Sequence, residues 1–158
     1  LLVWAAHEMA EEGCPASYIA SEIERMSTEM VTIFSVDTLD YLARNGRIGK
    51  AQHFLGSMLN MKPILALDKE GYVTAVDRVR GRGKVIPRIV ELVSEKIPRG
   101  SRVDMALVHA DSPEEFVKFK DAMSGAFKIR KYYETEIGAV IGTHTGPGAL
   151  AAFVLPVN

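Results

Sequence analysis

The sequence predicts an α/β or α+β domain in which a mixed β-sheet is flanked by helices. Two observations predict it. Apolar residues recur at helical spacing in some segments and in short β-branched runs in others, so helices and strands interleave along the chain. One turn, Asp68-Lys69-Glu70-Gly71, joins two successive strands directly, and such a hairpin breaks an all-parallel order. The size agrees with this, since 158 residues suit one domain of about 100–200 residues. A composition of 47% hydrophobic and 25% charged residues is that of a globular chain and excludes disorder.

The first predicted element is a helix over 1–12, stopped by Gly13 and Pro15. A second helix covers about 16–29, with Ile19, Ile23, Met26 and Met30 at helical spacing. Val31 to Val36 is β-branched and aromatic and reads as a strand. Asp37 or Thr38 caps a short helix from Leu39 to Arg44, which Asn45-Gly46 ends. A helix over about 50–60 carries Ala51, Phe54, Leu55, Met58 and Leu59 on one side, and Pro63 closes it. Ile64–Leu67 and Tyr72–Val79 form the hairpin. A helix over 84–97 turns Val85, Ile89, Val93 and Ile97 inward and tolerates Pro87 in its first turn. Arg102–Ala110 is a buried strand, and Ser112-Pro113-Glu114-Glu115 starts a helix over about 113–124. Tyr132–Thr135, Ala139–Thr143 and Ala149–Leu155 are read as strands, the last two separated by a loop from His144 to Gly148.

Several function classes are excluded at this level. No apolar run reaches the about 18 residues needed to span a bilayer. A formal charge of −1 excludes a generally basic nucleic-acid binder, and aromatics do not interleave with the basic runs. Cys14 is the sole cysteine, so no intrachain disulfide and no cysteine-based zinc site can form, and a reducing, cytoplasmic compartment is expected. The chain opens on Leu1-Leu2-Val3-Trp4 with no Met, no cap and no polar lead-in, which predicts a C-terminal piece of something longer.

Charge is unevenly distributed. From Tyr41 to Leu67 there is no carboxylate, while Arg44, Arg47, Lys50 and Lys62 are present. A second basic run holds Arg78, Arg80, Arg82, Lys84 and Arg88. Such patches attract an anionic ligand or an acidic partner, or form an ordinary solvated face. Asn45-Gly46-Arg47-Ile48-Gly49-Lys50 is a glycine-bounded loop leading into a helix, where backbone N–H groups and Arg47 can meet a carboxylate or phosphate. It lacks the spacing of a Walker loop. Gly142 to Gly148 places His144 between two hydroxyl residues, Thr143 and Thr145, at the end of a sheet. His144 has no second metal ligand nearby, so no metal site is expected. On the residues alone, a binding module for an anionic ligand stands ahead of an enzyme acting on a phosphorylated small molecule. A protein–protein module on the 78–88 face is the third class.

The run from Val36 to Ala51, centred on Ala43-Arg44-Asn45-Gly46-Arg47-Ile48-Gly49-Lys50, resembles the DegV family. So do Leu59-Asn60-Met61-Lys62-Pro63-Ile64-Leu65, Val79-Arg80-Gly81-Arg82-Gly83-Lys84 and the closing Gly142-Thr143-His144-Thr145-Gly146-Pro147-Gly148-Ala149. These blocks keep the family's order from about residue 30 to 155. The resemblance implies a bacterial protein that binds a long-chain fatty acid and needs no cofactor. It also implies presentation of the carboxylate to a separate fatty acid kinase subunit, which phosphorylates it to an acyl phosphate. The implied fold is the C-terminal domain of a two-domain protein, a mixed and largely antiparallel sheet with flanking helices. Residues 30–158 would form that domain, and residues 1–29 a helical segment joining it to a missing N-terminal domain.

By this similarity His144 contacts the fatty acid carboxylate and Arg47 lies near the head group or the mouth of the site. Thr143 and Thr145 are added as ligand-binding residues from the chemistry of the loop. Arg80 and Arg82, with Arg78, are implied to belong to a basic surface that docks the kinase. No nucleic acid and no membrane-spanning segment are expected, while transient contact with a membrane surface stays compatible with the reading. Burying about 15 methylenes at about 0.8 kcal/mol each yields on the order of 12 kcal/mol before ordering costs. A carboxylate buried without partners would cost several kcal/mol, so polar groups must meet it. Phe54, Leu55, Met58, Leu59 and Met61 are candidate wall residues.

Overall fold

The computed structural model describes residues 1–54 and 60–157. The chain begins with two helices, α1 (Leu2–Glu11) and α2 (Ala16–Glu29), followed by β1 (Val31–Ser35) and the short α3 (Asp40–Arg44). Next come the hairpin strands β2 (Met61–Leu67) and β3 (Val73–Arg80), helix α4 (Val85–Lys96), β4 (Arg102–His109) and α5 (Pro113–Ala126). Strand β5 (Lys128–Glu136), helix α6 (Ala139–Thr145) and β6 (Leu150–Pro156) complete it. The six strands form one sheet in the order β3-β2-β1-β6-β4-β5. Among the described residues only the β4–β5 pair is parallel, and α5 supplies the crossover that a parallel pair requires. The C-terminal strand β6 therefore lies mid-sheet, antiparallel to both β1 and β4.

Helices α4 and α5 cover one face of the sheet. Ile86, Ile89, Val90 and Val93 recur at helical spacing on α4 and are buried together with Phe119 and Met123 of α5. They meet Ile33, Ile64, Met105, Leu107, Ala152 and Val154, which point to that side of the pleat. Pro87 is accommodated in the first turn of α4. At the rim Arg88 donates to Asp77 Oδ2 at 2.5 Å, joining α4 to the edge strand β3.

The alternate residues face the other way, and among the described residues this second face is covered in part. Trp4 of α1 stacks on Tyr133 with ring centroids 5.3 Å apart, and Glu8 pairs with Lys131. Near them the buried Asp104 accepts from both Nε and Nη2 of Arg130. Helices α3 and α6 lie against one another beside a smaller core of Val36, Leu39, Leu42, Ile48 and Ala149. Phe34, Val108, Ala151 and Phe153 are left as the floor of an open groove.

Three sequence expectations are corrected. Ala139–Thr143 is the body of helix α6, not a strand, and His144 sits in the last turn of that helix and not in a loop. Val140 and Ile141 gave the segment a strand-like look, yet both are exposed and line the groove, with no sheet partner. A short apolar run does not distinguish the two states. Pro63, expected to end a helix, lies buried within β2 near its start, where a missing N–H is tolerated and its carbonyl accepts from Ser35 Oγ at 2.7 Å. The helix expected over 50–60 is a 3-10 segment from Gly49 to Phe54, and the rest of that expectation, with Leu55, Met58 and Leu59, lies outside the described residues.

Candidate functional site

The groove has a volume of about 570 Å³, inside the range of about 300–1,000 Å³ usual for small-molecule sites. Its floor is the uncovered face of the sheet, and Ile137, Val140 and Ile141 form one wall. Arg47, His144 and Thr145 line it too, so three of the four ligand-binding residues expected from sequence come together on one apolar surface. The imidazole of His144 is the informative group. Its Nδ1 is buried and, among the described residues, has no hydrogen-bond partner. A buried polar atom left in that state costs about 1–3 kcal/mol, so such atoms are uncommon unless a ligand supplies the partner.

Arg47 follows the end of α3, where its N–H donates to the Leu42 carbonyl at 2.8 Å. Its side chain is exposed, and among the described residues no ion pair or hydrogen bond holds the guanidinium. Thr145 is buried and its hydroxyl donates to the Ile141 carbonyl at 3.3 Å. Thr143 stands apart: it is exposed, does not line the groove, and donates to the Ala139 carbonyl at 2.8 Å. Both threonines thus bond back along α6, as hydroxyl residues within helices commonly do.

Two loops distant in sequence are brought together here. Asn45 Nδ2 donates to the Tyr41 carbonyl at 2.9 Å and across to the Thr143 carbonyl at 3.0 Å, joining the end of α3 to α6. Gly146 ends α6 with φ of +72°, and a Cβ there would lie 2.4 Å from Tyr41 Cδ2. Only glycine fits both the backbone and the approach. Asn45 and Gly46 were legible as a helix end, but the reach of Asn45 to Thr143 had no local signal. Glu136, Thr135 and Thr32, polar residues on the groove lining, were also missed, because nothing in a strand's own sequence shows which face remains uncovered.

The basic run divides. Arg80 is exposed and lines a second cleft of about 530 Å³ with Asp37, Thr38, Asn60, Met61 and Lys62. Arg78 lies over the Phe54 ring, 5.8 Å from its centroid. Arg82 is turned inward, donating to Asp37 Oδ1 at 2.9 Å, Ser112 Oγ at 2.8 Å and the Gly148 carbonyl at 3.0 Å. Ser112, where the sequence starts this helix, stands at the N-cap of α5 but makes no side-chain cap bond and instead receives Arg82. Burial raises the Asp37 carboxyl, but Lys62 and Arg82 outweigh it and hold the group below its ordinary value. Of the expected wall residues, Phe54 packs beside the smaller core and Met61 faces the second cleft. Among the described residues no group of three His, Cys, Asp or Glu could hold a metal ion, and no helix is long and apolar enough to cross a membrane.

Residues 1–157 match the family model described as "Uncharacterised protein, DegV family". The chain belongs to the DegV family. It is 39% identical over 132 residues to Protein DegV of Bacillus subtilis, covering 84% of this chain and 47% of that protein. Among solved DegV structures, one from Thermus thermophilus described as fatty acid binding superposes with a TM-score of 0.90 at 34% identity, over 99% of this chain and 56% of the other. The Bacillus subtilis DegV structure, described as a fatty acid binding protein, gives a TM-score of 0.83 at 35% identity, over 99% of this chain and 55% of the other. The chain spans about half the length of the DegV relatives it matches. The mixed, largely antiparallel sheet with flanking helices is the DegV architecture over the matched half.

Proposed function

We propose that this chain is the carboxylate-meeting half of a non-enzymatic carrier for a long-chain fatty acid. The acyl chain lies along the groove, and His144 and Arg47 receive the head group. One observation carries the reading: a buried imidazole nitrogen, without a hydrogen-bond partner among the described residues, on the wall of a largely apolar groove. An imidazole Nδ1–H donates to a carboxylate oxygen, and an unpaired guanidinium supplies the charge that a half-buried carboxylate needs. The fatty acid binding described for the Thermus thermophilus and Bacillus subtilis relatives supports it.

The remaining parts of the proposal follow the same logic. Val140 and Ile141 leave apolar surface exposed beside the groove, and the matching relatives are about twice as long. An N-terminal half, joined through residues 1–29 to a domain formed by 30–158, completes the pocket. The carboxylate stays at the rim, where a separate fatty acid kinase transfers the γ-phosphoryl group of ATP to a carboxylate oxygen, leaving an acyl phosphate and ADP. Arg80, exposed on the second cleft, with Arg78 beside it on β3, meets that partner, and Arg82 contributes whatever part of its side chain reaches the surface.

Calorimetric titration of the full-length protein with a long-chain fatty acid tests the central step. A hydrogen bond to a charged group is worth about 1.5–3 kcal/mol, so His144→Ala weakens binding roughly 10- to 100-fold. Unchanged affinity in His144→Ala removes the head-group assignment. Turnover of a phosphorylated small molecule without any kinase replaces the carrier reading with an enzymatic one.

A further inference from the structure

We infer that Asn45 and Arg82 are positioning residues that hold His144 for the carboxylate, an inference that rests on the fatty-acid reading above. Both act on the backbone of the one segment that carries His144. Asn45 Nδ2 donates to the carbonyl of Thr143, the residue immediately before the histidine. Arg82 Nη2 donates to the carbonyl of Gly148, four residues beyond it. The segment between is thereby fixed at both ends by side chains from elsewhere in the chain.

Each anchor ties that segment to something else of consequence. The same Asn45 amide holds the Tyr41 carbonyl in the first turn of α3, and Asn45 itself stands just after that helix, two residues before Arg47. Asn45 therefore sets the spacing between the backbones of the two residues proposed to meet the head group. Arg82 is braced by Asp37 after β1 and by Ser112 at the start of α5, two points on the rigid sheet and its covering helix. Gly148 N–H adds a bond of 2.7 Å to the Ala110 carbonyl beside that brace. Neither Asn45 nor Arg82 lines the groove, so neither touches the lipid. Their effect reaches the ligand through the aim of the imidazole, and a hydrogen bond weakens when its length drifts by about 0.5 Å or its angle by about 20°.

This role separates from a merely structural one by comparing two lipids of the same length, a fatty acid and the corresponding fatty alcohol, in the full-length protein. The alcohol fills the groove but presents no carboxylate to His144 and Arg47. Asn45→Ala and Arg82→Lys are each expected to weaken fatty acid binding at least about tenfold while leaving fatty alcohol binding within about twofold of wild type, the size of effect that loss of one charge-assisted bond produces. Asn45→Asp keeps the side-chain shape but lacks both N–H donors, and it is expected to show the same selective loss should the alanine variant fold poorly. Equal weakening of both lipids, or no weakening of either, overturns the inference while leaving the carrier reading intact. A wild-type protein that binds neither lipid overturns the carrier reading itself.

Discussion

Tyr41 and Gly146 meet so closely that the ring leaves no room for a side chain: a Cβ on Gly146 would lie 2.4 Å from Cδ2 and 2.6 Å from Cε2. Gly146 also takes φ of +72°, so two independent constraints coincide at one position. Gly46 offers the comparison, since its φ is +64° but nothing lies within 4 Å of its Cβ position. Gly46→Ala is expected to cost about 1 kcal/mol from backbone strain alone. Gly146→Ala adds the clash, which costs about 1–3 kcal/mol more and lowers the melting temperature by several degrees beyond Gly46→Ala. Thermal unfolding of the two variants measures the gap, and equal losses would mean that the ring moves aside freely.

Asp37 gives the protein an acid-sensitive joint. Lys62 Nζ and Arg82 Nη1 both donate to its Oδ1, at 2.7 and 2.9 Å, and hold its carboxyl below the ordinary 3.8 despite burial, which acts the other way. A carboxyl depressed in the folded state contributes stability that is fully present above the unfolded value, about 4, and is lost as pH falls through the folded value. Wild type is therefore expected to exceed Asp37→Asn in stability at pH 7, with the gap closing below about pH 4. Urea unfolding at pH 7, 4 and 3 follows it, and a gap as large at pH 3 as at pH 7 contradicts the assignment.

Ala151 sits on the groove floor between Val108 and Phe34 in neighbouring strands, and it is small where a larger side chain would fill the channel. Ala151→Phe is expected to shorten the preferred acyl chain. Each excluded methylene weakens binding by about 0.8 kcal/mol, or roughly fourfold. Gas chromatography of lipid extracted from the variant reads the shift, and an unaltered chain-length profile would move the acyl chain off this surface.

Arg80 is exposed on the second cleft and does not line the groove. Arg80→Ala is expected to slow kinase-dependent phosphorylation roughly tenfold at low salt, with a smaller effect at high salt, while the affinity for fatty acid stays unchanged. Loss of lipid affinity instead would place Arg80 at the head group.

Much of this fold was legible because its signals are local. The helical spacing of Val85, Ile89, Val93 and Ile97 gives α4, the β-branched run from Val31 gives β1, and the Asp68–Gly71 turn gives the hairpin. Arg47 and His144 stood out through their glycine-rich surroundings, and the structure sets both on one groove. Helix α6 was misread because Val140 and Ile141 are apolar for the sake of an open groove, while the 3.6-residue period cannot show itself over seven residues. The inward turn of Arg82 was hidden for a different reason. Its three acceptors lie 30, 45 and 66 residues away, and no spacing rule connects them.

Native mass spectrometry of the full-length protein before and after organic extraction shows whether the groove with His144 on its wall holds a fatty acid. The expected spectrum holds an adduct with the mass of a long-chain fatty acid that extraction removes, that returns on addition of the acid, and that is depleted in His144→Ala. A full-length protein that is consistently empty and takes up no added fatty acid would contradict it.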